Sequence, residues 1–112
     1  MDQTDIAIKG PLDTARTNVE QAFTKYDFWT EWYSQLEGRA RRGKLGLNLT
    51  FGYISPYCEI DIHLLTQTDG SIILRLIRSR VGMKGGIPGP ILADREFSEA
   101  VAGIANYFTY HV

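Results

Sequence analysis

The chain opens on an alternation. In "TDIAIKG" Ile6 and Ile8 are interleaved with polar or small residues up to Gly10-Pro11, which predicts a short first strand. From Asp13, placed as an N-cap, the period changes. Ala15, Val19, Ala22, Phe23 and Tyr26 recur at helical spacing. The stripe continues through Trp29, Tyr33 and Leu36 with no proline before Pro56. It predicts one long helix to Gly38, or two helices meeting near Asp27. Gly38 would then lie just past the helix end, with the arginines after it favouring the C-terminus.

"KLGLNLTFGYIS" alternates Leu45, Leu47, Leu49 and Phe51 with Gly46, Asn48, Thr50 and Gly52, the pattern of a half-buried strand. "YCEIDIHLLTQ" and "SIILRLIRSRV" flank Thr68-Asp69-Gly70-Ser71, and Asp-Gly between apolar runs predicts a hairpin. A two-residue loop would set Ile62 opposite Ile77, Leu65 opposite Leu74, Asp61 opposite Arg78 and Glu59 opposite Arg80. That register stacks two opposite-charge pairs on one face. In the last segment Phe97, Val101, Ile104, Ala105 and Phe108 form the stripe of a closing helix.

The reading is a single α+β domain over residues 1-112, in the order β-α-β-β-β-α. An antiparallel sheet of about four strands has helices packed on one face. As architecture this resembles reduced helix-grip or ferredoxin-like α+β domains, and architecture alone does not assign function.

Composition narrows the classes. A chain of 112 residues can bury a core without staples. Its single cysteine, Cys58, excludes an internal disulfide and a multi-cysteine zinc site. The start "MDQTDIAIKG" has no signal-peptide character and no apolar run reaches membrane-span length, so a soluble cytoplasmic protein without membrane contact is the expectation. The net charge of -1 hides a bipolar distribution. Residues 1-37 hold three bases against seven acids, whereas 38-44 and 71-84 each hold four bases and no acid.

Four features could carry chemistry. "VGMKGGIPGPILAD" places Lys84 among glycines ahead of a helix, but it fits neither nucleotide-binding spacing, and Pro88 and Pro90 remove amides that an anion cradle would use. The 82-90 segment reads as a connector, with a loop function as the alternative. Arg39, Arg41 and Arg42, with Lys84, could bind an anion or nucleic acid; a sequence pI of about 6.1 and the expected ion pairs favour a solvated surface instead. Glu59, Asp61 and His63 alternate on one strand face and could support acid–base chemistry, though a solvated sheet face gives the same pattern. Cys58 and His63 point to opposite faces and cannot pair within the strand.

The aromatic group is the strongest lead. Phe23, Tyr26, Phe28, Trp29, Trp32 and Tyr33 crowd one stretch, and a single helical face cannot hide them all. On the helix reading Phe28 and Trp32 project together, away from the core stripe. Phe28, Trp29 and Trp32 are therefore the candidate ligand- or partner-binding residues. The functional expectation is a small non-catalytic binding domain. It would associate with another copy or a partner protein, or hold a small apolar ligand between sheet and helices. No cofactor, metal site or catalytic residue is assigned.

Overall fold

A computed structural model describes residues 3–44, 55–78 and 94–110, with side chains described for 3–42, 59–78 and 97–110. The elements are β1 (Gln3–Ile8), α1 (Leu12–Lys25), β2 (Trp29–Trp32), β3 (Glu37–Lys44), β4 (Ser55–Thr66), β5 (Ile72–Arg78) and α2 (Asp94–Tyr110). The strands form one sheet in the order β1-β5-β4-β3-β2, every neighbouring pair antiparallel. The fold class is the expected α+β, with five strands where about four were expected. The expected strand over Leu45–Phe51 and the 82–90 connector lie outside the described residues.

α1 starts at Leu12 with Pro11 in the N-cap position, so Asp13 is not the expected cap but lies in the first turn, where a carboxylate suits the helix dipole, and the helix stops earlier than the aromatic stripe suggests. Ala15, Val19, Ala22 and Phe23 are its buried face. Thr24 C=O accepts from Asp27 N–H at 3.1 Å, and Phe23 C=O accepts from Phe28 N–H at 3.0 Å. Asp27 adopts φ +67°. These bonds and the left-handed residue make a Schellman cap, and the apolar contact that accompanies it is Phe28 against Phe23, edge to face at 5.3 Å. Asp serves here where Gly is usual. The long helix to Gly38 and the alternative of a second helix after Asp27 are both corrected: the break falls near Asp27, and the chain reverses at Tyr26-Asp27 and returns as strands β2 and β3.

The β4–β5 hairpin is present, one residue out of the expected register. Gln67 N–H bonds Ser71 C=O at 2.9 Å, so the loop is Thr68-Asp69-Gly70, three residues with Gly70 at φ +88°. Asp69 Oδ1 accepts from Ser71 N–H at 2.9 Å and from its hydroxyl at 2.6 Å. Those bonds from Ser71 hold the Asp69 carboxyl below its ordinary range. Asp61 now faces Ile77 and Ile62 faces Leu76. Leu65 therefore lies with Ile73, on the face opposite Ile72, Leu74 and Leu76.

One face of the sheet meets the helices. Ile60, Ile62, Leu64, Ile72, Leu74 and Leu76 are buried there against Val19 and Phe23 of α1 and Phe97, Val101 and Ile104 of α2. At the β3 end the inner positions begin with Gly38 and Ala40, and the Trp32 ring of β2 lies over Gly38. A Cβ on Gly38 would come within 2.7 Å of Trp32 Cε3. Among the described residues, no helix is long and apolar enough to cross a membrane.

Candidate functional site

The outer face of the sheet carries the charged residues, and β2 and β3 organise them. Strand alternation turns Glu37, Arg39 and Arg41 outward and Gly38, Ala40 and Arg42 inward. Across the β3–β4 ladder Arg39 stands opposite Asp61 and Arg41 opposite Glu59; across β2–β3, Glu31 stands opposite Arg39 and Trp29 opposite Arg41. The carboxylates that were expected to pair with Arg78 and Arg80 are claimed by the other neighbouring strand.

The result is a chain of alternating charge. Glu31 accepts from Arg41 Nη1 at 2.7 Å, and Arg41 Nε lies 3.5 Å from Glu59. Arg39 Nη1 meets Glu59 at 2.7 Å, and Arg39 Nε donates to Asp61 at 2.8 Å. Glu59 is the one buried charged residue among those described, its side chain 7% exposed. Burial works against the Arg39 charge, but the Asp61 hydrogen bond and the fields of Asp61 and Glu59 outweigh it and raise its pKa. Beyond β4, Arg75 pairs with Asp5 through two bonds of 2.9 and 3.0 Å, whose first effect is to hold the Asp5 carboxyl below its ordinary range.

Tyr33, just past β2, roofs this chain. Its hydroxyl accepts from Arg41 Nη2 at 3.3 Å, and Arg39 sits 5.6 Å from its ring centre. Tyr33 is 54% exposed, Trp29 41% and Leu36 39%. β2 and the residue after it therefore present an aromatic rim, Trp29 and Tyr33, beside internally neutralised charges.

The residues expected to bind separate into different roles. Phe28 is in the core, as the apolar partner of the α1 cap. Trp29 is on the exposed outer face. Trp32 is half-buried on the inner face, between Gly38 and the Arg16 guanidinium 4.8 Å from its ring, and its indole N–H donates to Glu20. The expected Phe28–Trp32 helical pair does not exist, because both residues lie beyond the end of α1. Arg39 and Arg41 share the outer face, each already ion-paired. Arg42 faces inward, 4.9 Å over the Phe28 ring, with Nη1 donating to Tyr26 C=O at 3.4 Å, where a cation suits a helix C-terminus. Lys84 lies outside the described residues.

Glu59 and Asp61 both converge on Arg39, whereas His63 Nδ1 is 3.9 Å from Glu37 and His63 stands opposite Arg75. The three do not meet at a common point. Among the described residues, no group of three or more His, Cys, Asp or Glu could hold a metal. Sequence reasoning missed Glu31 and Tyr33. One signal was available: Arg39 and Arg41, two apart, match Glu59 and Asp61, two apart, as adjacent antiparallel strands require.

No protein-family model matches the chain, and a search of curated proteins finds no similar sequence.

Proposed function

We propose that the domain works by binding rather than catalysis, through the rim of Trp29 and Tyr33 along β2. The observation that carries this is the exposure of these two large side chains next to charges that already satisfy one another. Large aromatics beside a neutralised polar surround suit protein contacts, where charged groups would otherwise have to shed water unpaired. The same ion pairs weigh against anion or nucleic-acid binding through Arg39 and Arg41, since a phosphate would have to displace carboxylates from both. Along the described strands, helix side chains occupy the inner face. That favours the outer rim over a small apolar ligand held between sheet and helices.

Trp29 emission tests the reading. In a Trp32→Phe chain Trp29 is the remaining tryptophan and reports from the rim. Raising the protein concentration, or titrating the apolar dye 8-anilino-1-naphthalenesulfonate, should shift or quench that emission. Emission that ignores both titrations removes the rim as a contact surface.

A further inference from the structure

β2 borders the described sheet, and its bonding pattern fixes what it offers outward. Tyr33 N–H donates to Glu37 C=O at 2.9 Å, which marks these two as a hydrogen-bonded pair. Antiparallel pairs alternate, so Glu31/Arg39 and Trp29/Arg41 are hydrogen-bonded pairs too. Thr30 and Trp32 then turn their N–H and C=O groups away from β3, toward the side on which no described strand pairs with β2. We infer that a second copy fills this edge, β2 pairing antiparallel with β2 about a two-fold axis at Glu31. The inference rests on the rim being a contact surface and adds its occupant and register.

The strand is self-complementary in one register. Thr30 opposite the partner's Trp32, and Trp32 opposite the partner's Thr30, makes two pairs that exchange two backbone bonds each. The same register sets Trp29 opposite the partner's Tyr33, twice by symmetry, on the exposed outer face. Thr30 opposite the partner's Thr30 would instead place Trp29 against the partner's Glu31. Trp32 opposite the partner's Trp32 would place Tyr33 against that same carboxylate. At the axis Glu31 meets the partner's Glu31, and each arrives neutralised by its own Arg41 at 2.7 Å. The other edge strand, β1, offers Gln3, Asp5 and Ala7 on that face, with exposed Lys9 at its end. Such an edge resists pairing.

Disulfide trapping reads the register directly. Glu31 is a non-hydrogen-bonded position in the inferred pair, where Cα atoms of facing residues lie about 4.5 Å apart, within disulfide reach. In a Cys58→Ser chain, Glu31→Cys should oxidise to a reducible dimer, and Asp5→Cys on the opposite edge should not. Sedimentation of wild type and Thr30→Pro completes the test. Proline at an outward-facing edge position is tolerated by the monomer, yet it removes an N–H from each symmetric pair and should weaken dimerisation by about tenfold or more. A dimer that neither cross-links through Glu31→Cys nor weakens in Thr30→Pro overturns the inference, while Trp29 emission responding to concentration would leave the rim reading standing. A monomer at every concentration overturns the second copy as occupant, and the dye titration alone then decides the rim.

Discussion

Replacing Arg39 by methionine keeps the aliphatic stem and removes the charge that holds Glu59 and Asp61. Glu59, 7% exposed, would lose its 2.7 Å partner and, among the described residues, keep Arg41 at 3.5 Å. Removing one member of a fully buried pair costs about 3–5 kcal/mol. Here Arg39 is 33% exposed and Asp61 29%, so water recovers part of that loss. The expected cost is about 2 kcal/mol, or roughly 8 °C in Tm for a domain of this size. Urea unfolding of Arg39→Met, Glu59→Gln and the double variant measures it as a cycle. The double should cost less than the sum by about 1–2 kcal/mol, and the equivalent cycle with Asp61→Asn should couple more weakly, near 0.5 kcal/mol. Additive variants, or an Arg39→Met cost under about 0.5 kcal/mol, would refute the view that the chain of charges is tied together at Glu59.

Two further outcomes follow from the geometry. Gly38→Ala should destabilise by about 1–3 kcal/mol, because its Cβ would lie 2.7 Å from both Glu31 O and Trp32 Cε3, and the backbone oxygen cannot retreat without opening β2 from β3; the penalty should persist in a Trp32→Ala background, and a neutral Gly38→Ala would sink the argument. Asp5 has a folded pKa below its ordinary 3.8, so its pairing with Arg75 stabilises the fold above that value and is lost as pH falls through the folded pKa. Melting curves against pH should therefore show Asp5→Asn less stable than wild type near neutrality, with the two converging in acid; a constant gap across the range would contradict the pairing.

What the sequence made legible depended on whether one period excluded the other. Ala15, Val19 and Phe23 fit only a helix, and that helix formed. Tyr26 through Tyr33 is aromatic at nearly every second position and also at helical spacing, so the period could not choose; the Schellman bonds at Asp27 did. β3 was hidden for the opposite reason. Its inner face is Gly38, under the Trp32 ring, then Ala40 and Arg42, so "EGRARRGK" shows no apolar alternation. The hairpin was visible through Asp69-Gly70, but that dipeptide serves a two-residue or a three-residue loop equally well. A slip of one residue exchanges sheet faces. The charged site inherited that ambiguity, since Glu59 and Asp61 changed partners with the register. The aromatic pattern came out reversed: Trp29 and Tyr33, which the helical stripe would bury, are exposed, and Phe28 and Trp32, expected away from that stripe, face inward.

The sheet order sets a timetable for folding. β1 is made before the other described strands, yet its only neighbour in the described sheet is β5, and Asp5 waits for Arg75 from 70 residues further on. β3, β4 and β5 can assemble from near neighbours in sequence, whereas β1 must hold an extended, alternating apolar segment unpaired until the rest exists. On the ribosome, Ile6 and Ile8 emerge long before Leu74 and Ile72, the residues that will face them. Late docking of the N-terminal strand makes it the segment through which a stalled or truncated chain would aggregate, and the element whose contacts govern the unfolding rate more than the folding rate.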